Sequence, residues 1–149
     1  MVLLDGRAVA VALLEQVAGE VRALKEKGIT PKLAFLLVGK NPASVTYVGQ
    51  KQKACEKTGI AFEHLDFEET VTTEELVKAI EKLDGRDDVH GILVQLPLPA
   101  SINTPLVLRA LQPKKDVDGF HAYNLGKMLL SAEFEHLAPC TPKGVIKLL

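Results

Sequence analysis

The six residues LAFLLV, Leu33 to Val38, contain no polar side chain and no alternation. A strand with one face in water alternates, so this run predicts a strand covered on both faces, as in a parallel sheet. Parallel neighbours need long crossover connections, usually helices, and the chain supplies them. Asp5 can cap a long helix to about Lys27, with Gly28 as its stop. Leu13, Leu14, Val17, Val21 and Leu24 recur there at helical spacing and define a buried face. After LAFLLV, Asn41 suits an N-cap, Pro42 the first helical position and Gly59 the residue that ends the helix. IAFEHLDF, Ile60 to Phe67, reads as a second strand. Thr72 and Glu75 stand at capping-box spacing ahead of a helix with a Leu76, Ile80, Leu83 stripe. VHGILVQ, Val89 to Gln95, is a third apolar strand, stopped by the two prolines of LPLPAS.

Asn103 or Thr104, with Pro105, opens a short helix to about Leu111. QPKKDVDGFHAYNLGKML is loop-like before a helical turn. Thr141 can cap a last helix with Pro142 as its first residue, and the sequence ends within it. A helix of about eight residues is marginal alone, so the chain is expected to be part of a longer protein. The order of elements predicts a three-layer α/β fold: a mostly parallel sheet, helices on both faces and right-handed crossovers. Ligands of such sheets sit beyond the carboxyl ends of the strands. The segment after Val38, leading to Tyr47 and Lys51, and Gln95 with its Leu-Pro sequel both lie at such an end.

A length of 149 residues suits one domain. The formal net charge of -1 argues against a nucleic-acid binder, while leaving room for a small anionic ligand held by local lysines. Cys55 and Cys140 have no CxxC neighbour, which predicts reduced thiols and a reducing, cytoplasmic compartment. The four histidines, His64, His90, His121 and His136, show no metal-ligand spacing, so no metal is expected. Asp5, Arg7 and Glu15 make the N-terminus a poor signal peptide, and no stretch is long enough to span a bilayer. VGKNPAS lacks the GxxxxGK[ST] pattern, no GxGxxG follows a strand, and there is no GxSxG or HExxH. Nucleotide binding by this chain alone is therefore not supported.

Four polar groups remain as candidates. Around the helix after Asn41, Val45, Val48, Gln52 and Cys55 fall within roughly 80° and form one seam. Tyr47, Lys51 and Ala54 cluster within roughly 60° on the other side. If the Val/Cys seam packs on the sheet, Tyr47 and Lys51 stand together on the outward face; the plain alternative is a solvated lysine beside a half-buried tyrosine. Lys51 can serve as a base once its ammonium gives up a proton. Gln95, closing a strand, can accept from an ammonium and donate to a substrate, or simply cap the strand. Asp118, in KKDVDG beside Asp116 and Gly119, suits either a site or a turn.

NPASVTYVGQKQKACEKTGI, GILVQLPLP, KKDVDGFHAYNLGKM and PCTPKGV together resemble the bifunctional methylenetetrahydrofolate dehydrogenase/methenyltetrahydrofolate cyclohydrolase family. The resemblance runs from about residue 39 to 145 and covers the family's N-terminal, substrate-binding half. The family's NADP-binding Rossmann domain and its PGGVGP segment have no counterpart here. LDGRDDV, Leu83 to Val89, departs from the family, which usually has Asn where Asp84 stands and an acidic or amide residue where Arg86 stands.

The resemblance implies a folate-binding catalytic domain over residues 1–149, acting on tetrahydrofolate derivatives in one-carbon metabolism and purine biosynthesis. It also implies NADP held by the second domain, no metal, and a homodimer for the full-length enzyme. Lys51 would be the catalytic residue, Gln95 would hold and tune it, Tyr47 would stack on the folate and Asp118 would bind the pterin edge. Val94 and Leu96 would line the pocket, Ser44 would reach it from the first turn, and Cys140 would lie nearby without a catalytic role. Two other readings stand beside this one. One is a non-catalytic folate-binding or interaction domain of the same fold. The other is an unrelated α/β domain in which Lys51 and Tyr47 merely decorate a helix, and it requires Lys51 and Gln95 to lie far apart.

Overall fold

The computed structural model describes residues 4–130 and 137–149; His136 lies outside them. Strands β1 (Lys32–Val38), β2 (Ala61–Phe67) and β3 (Gly91–Val94) form one parallel sheet in the order β2-β1-β3. Helices α1 (Gly6–Glu26) and α2 (Pro42–Thr58) precede β2, α3 (Thr73–Asp84) leads into β3, and α4 (Thr104–Ala110), α5 (Ala122–Leu130) and α6 (Cys140–Leu148) follow. The unalternated run is the central strand. Its Ala34, Leu36 and Val38 pack with Leu76, Ile80 and Leu83 of α3 and Val107 of α4. Its Phe35 turns the other way, onto Cys55 of α2 and Leu93 of β3. The fold is thus the expected α/β arrangement, with a wholly parallel sheet among the described residues.

Local chemistry places the helix ends. The Asp5 carboxylate accepts from Arg7 N and Ala8 N at 2.9 and 3.1 Å, and Asn41 Oδ1 accepts from Ala43 N and Ser44 N at 3.0 and 3.2 Å. Each satisfies donors that an α-helix leaves unpaired at its start. The Thr72–Glu75 box forms in both directions, at 2.8 and 3.2 Å. Three boundaries differ from expectation. β3 is shorter than Val89–Gln95, although His90 N donates to Lys32 O and Gln95 N to Leu36 O, both at 2.9 Å, so pairing with β1 continues past each end. The segment after Asp118 yields the nine-residue helix α5 rather than a single turn. Helix α6 starts at Cys140, with Pro139 as its uncapped N-cap residue. Thr141 and Pro142 lie inside its first turn, because no N–H there needs an intrahelical partner and a proline fits as well at the third position as at the first.

The free edge of β3 carries a short addition. Ile92 N donates to Lys115 O at 2.7 Å and Val117 N to Ile92 O at 3.5 Å, forming a parallel bridge between Ile92 and Asp116. Gly91 permits this close approach, since a Cβ there would collide with Leu33 Cδ2 and Val117 Cγ1. Toward the amino ends of the strands Arg86 grips Glu63 with two bonds of 2.7 and 2.9 Å and also holds Asp88. Asp88 in turn pairs with Lys32. The unusual arginine of LDGRDDV therefore ties the α3–β3 turn to β1 and β2.

Asp84 is less well served. One carboxylate oxygen accepts from Gln112 N at 2.9 Å, while the other is buried with no hydrogen-bond partner. Burial pushes its carboxyl up, with partial relief from the Gln112 N–H, Lys115 and Lys114. A carboxyl raised in the folded state binds more protons there than in the unfolded chain. Its contribution to stability is then present at low pH and lost as pH rises through the folded value. Asp84→Asn keeps an oxygen for Gln112 and removes the charge. It is expected to stabilise the fold by about 1 kcal/mol at neutral pH and to lose that advantage toward pH 4. Urea unfolding of both proteins at the two pH values checks this; a pH-independent difference would acquit the carboxylate.

Candidate active site

Helix α2 carries Lys51 toward the sheet. Ser44, Val48, Cys55 and Thr58 are its buried residues, and Lys51 falls in the middle of that stripe. Val45 and Gln52 face solvent. The packing stripe is therefore rotated from the Val45–Cys55 seam expected from hydropathy, because a serine and a threonine fill two of its places. Thr58 can be buried because its hydroxyl donates back to the Ala54 and Cys55 carbonyls at 2.9 and 3.1 Å. Lys51 consequently lies half-buried against the sheet and not on an outward face. Its Nζ stands 5.9 Å from the centroid of the Phe35 ring.

Lys51 Nζ donates to Gln95 Oε1 at 3.2 Å. The Gln95 amide is itself fixed, since its Nε2 donates to the neighbouring Leu96 O at 2.7 Å. That contact removes the reading in which Lys51 and Gln95 lie far apart. Both residues line a cleft of about 550 Å³ that also takes in Tyr47, Asp118, Phe120 and Cys140. This volume is in the range of small-molecule sites. The walls come from α1 (Leu14, Val17), the sheet (Leu33, Phe35, Leu93) and the start of α6. The Tyr47 ring is 58% exposed, on the rim.

Asp118 owes its place to its neighbour. Asp116 is 1% exposed, and its carboxylate accepts from Gly119 N at 3.1 Å, His121 N at 2.8 Å and Asn124 Nδ2 at 2.9 Å. The turn chemistry of KKDVDG thus belongs to Asp116, which leaves the Asp118 side chain for the cleft. Burial pushes the Asp118 carboxyl up; the nearby Lys51 ammonium and a thiol hydrogen bond from Cys140, at 3.8 Å, draw it down, and Asp116 adds to the rise. Burial next to Asp118 also raises the Cys140 thiol. The cleft therefore sets a cation and an anion on different elements around an apolar floor. That arrangement suits a flat ligand with a polar edge.

The remaining expected residues are placed less directly. The Val94 side chain is 3% exposed and packs in the α3-side core, so only its main chain can face the rim. Leu96 takes part through its carbonyl. Ser44 is buried beneath the first turn of α2, and neither it, Val94 nor Leu96 lines the cleft. Sequence reasoning missed Leu14, Val17 and Phe120 as lining. The apolar stripe of α1 was legible, but not what it would face.

Residues 4–118 match the family described as tetrahydrofolate dehydrogenase/cyclohydrolase, catalytic domain. The chain belongs to this family. Among tetrahydrofolate dehydrogenase/cyclohydrolase relatives, the bifunctional protein FolD of Methanococcoides burtonii is 48% identical over 99% of the chain and 51% of its own length. That of Staphylococcus carnosus is 47% identical over 99% and 51%. The chain thus spans about half the length of the curated relatives it matches. The FolD crystal structure from Campylobacter jejuni superposes with a TM-score of 0.95 at 48% identity, covering 100% of this chain and 52% of that one. The Trypanosoma brucei FolD, solved with NADP cofactor and an inhibitor, gives 0.95 at 35% identity over 99% and 50%. An NAD-dependent 5,10-methylenetetrahydrofolate dehydrogenase from Saccharomyces cerevisiae gives 0.79 at 27% identity over 97% and 47%.

Among the described residues no three His, Cys, Asp or Glu side chains gather to hold a metal ion, and no helix is long and apolar enough to cross a membrane. The strand-to-helix loops also offer no glycine-rich cradle for a dinucleotide phosphate. The residues present do not fit NADP as a ligand of this chain.

Proposed function

We propose that this chain, residues 1–149, is the folate-binding catalytic domain of a two-domain enzyme. The enzyme oxidises 5,10-methylenetetrahydrofolate to 5,10-methenyltetrahydrofolate with NADP and hydrolyses the product to 10-formyltetrahydrofolate. The observation that carries this reading is the 3.2 Å contact between Lys51 Nζ and Gln95 Oε1 on the wall of a cleft that also holds Asp118. NADP, as hydride acceptor, belongs to the second domain, and the work of this chain is to bind, orient and move protons. Relatives about twice as long support the second domain; a cytoplasmic homodimer belongs to the same proposal and rests on the family resemblance.

In this reading the Asp118 carboxylate accepts from the amino group and adjacent ring N–H of the pterin, two parallel donors that a carboxylate matches. Tyr47 stacks on the flat part of the folate from the rim. Ser44 and the backbones of Val94 and Leu96 back the site. The methenyl carbon is cationic and already electrophilic, so its hydrolysis needs an ordered water and a group to take its proton. Lys51, held by Gln95, supplies that group as the neutral amine, after its ammonium has released a proton to solvent.

Asp118→Ala tests the folate assignment by itself. Losing a charge-assisted pair of hydrogen bonds is worth about 1.5–3 kcal/mol, so affinity for 5-formyltetrahydrofolate, read by calorimetry, should fall by roughly ten- to a hundredfold. An unchanged affinity would remove the pterin from Asp118.

A further inference from the structure

A buried cation bonded wholly to main-chain carbonyls lies outside the cleft. Lys115 is 8% exposed, and its ammonium donates to three main-chain carbonyls, Leu83 at 3.4 Å, Asp84 at 2.9 Å and Arg86 at 2.7 Å. These close the C-terminal end of α3 and the turn after it. A helix leaves its last carbonyls without partners and presents the negative end of its dipole there, so a buried ammonium is favourable at that point. Main-chain bonds then run from Lys115 toward the cleft. Lys115 O accepts from Ile92 N, Asp116 bridges Ile92, and Val117 N donates back to Ile92 O. Asp118 follows at once, with the Asp116 carboxylate gripping Gly119, His121 and Asn124 beyond it. The segment is thus pinned on both sides of Asp118, by Lys115 from α3 and by Asp116 from α5.

We propose that Lys115 is a positioning residue for the site: by clamping the end of α3 it fixes the 115–118 segment along the edge of β3, and so sets where the Asp118 carboxylate stands in the cleft. Its value to folate binding rests on the function proposed above, but its effect on Asp118 does not. A cation at this position does more than complete a helix end. The three carbonyls it holds belong to the end of α3 and the turn after it, and α3 packs on the far side of the sheet from Lys51, so the spacing of the two charged walls is referred to the α3 layer.

The test reads Asp118 directly. Its carboxyl is titrated by carbon-13 NMR, with Asp118→Asn to assign the signal, in the parent, Lys115→Met and Ile80→Val. The groups facing Asp118 are Lys51, Cys140 and Asp116, and all three are kept in every protein titrated. Lys115→Met frees the segment toward water, so the raised Asp118 titration should move down toward that of an ordinary carboxylate, and 5-formyltetrahydrofolate affinity should fall about tenfold. Ile80→Val loosens α3 from its core face without touching the clamp and should leave Asp118 unmoved. Should Lys115→Met fail to fold, Lys115→Gln keeps an N–H donor without the charge and should give an intermediate shift. An Asp118 titration unchanged in whichever Lys115 variant folds, or shifted equally by Ile80→Val, overturns the proposal. A shifted titration with unchanged folate affinity upholds the positioning and counts against the folate reading alone.

Discussion

Lys51→Met should reduce methenyltetrahydrofolate hydrolysis by on the order of 10²–10⁴-fold, the usual weight of a positioned acid–base group. Methionine keeps an unbranched stem of similar reach, so the stripe of α2 that packs on Phe35 and Cys55 is preserved and the fold should survive. What disappears is the one ammonium that the cleft directs at Gln95. A reduced folate should still bind, because Asp118, Tyr47 and the apolar floor remain. The pair of measurements is therefore hydrolysis, followed as loss of the methenyl chromophore in the two-domain enzyme, and affinity for 5-formyltetrahydrofolate. Hydrolysis at the parental rate would remove Lys51 from the chemistry, and loss of both together would make it a binding residue instead.

The largest expected loss of stability comes from a position with no reactive group. Gly119 has φ +70, where an L side chain is strained. A Cβ there would also stand 2.6 Å from Leu137 O, 2.7 Å from Ala138 C and 2.8 Å from Pro139 N. These are backbone atoms, and no flexible side chain can swing aside to make room. Gly119→Ala should cost about 1–2 kcal/mol for the left-handed conformation and about 1–3 kcal/mol more for forcing apart packed segments. Against a typical total of about 5–15 kcal/mol that is a large fraction. Urea unfolding measures it. Folate affinity should fall as well, since the residue before Gly119 is Asp118 and the segment displaced leads into Cys140. A variant as stable as its parent would mean that the 137–139 backbone can shift freely.

How far the sequence spoke depends on which force did the placing. The strand LAFLLV was legible because burial on both faces leaves no room for a polar letter; its central place in the sheet was not. The Thr72 box was legible because both its bonds are local. Lys51 was found, yet its face was misjudged. The stripe of α2 is completed by Ser44 and by Thr58, whose hydroxyl is satisfied within the helix, and a hydropathy pattern does not mark such residues as inward. Asp116 and Asp118 were indistinguishable as letters in a turn. Only the tertiary placement of Asn124 and His121 decides that the first is consumed by the backbone and the second is left for the cleft. Lys115 carried no signal at all, because its partners are carbonyls that every residue possesses. The lining from Leu14, Val17 and Phe120 depends on how two layers meet across a gap, which periodicity along one helix does not encode.

The small bond between the Gln95 amide and the carbonyl of its own neighbour has a larger meaning for timing. A carboxamide with both ends idle can rotate by half a turn and offer N–H where oxygen is wanted. Here the nitrogen end is already spoken for, so the oxygen faces Lys51 before any substrate arrives. That single contact also leaves the lysine two of its three donor positions for a guest or a water molecule. No swivel has to be completed between arrival of the ligand and transfer of the proton.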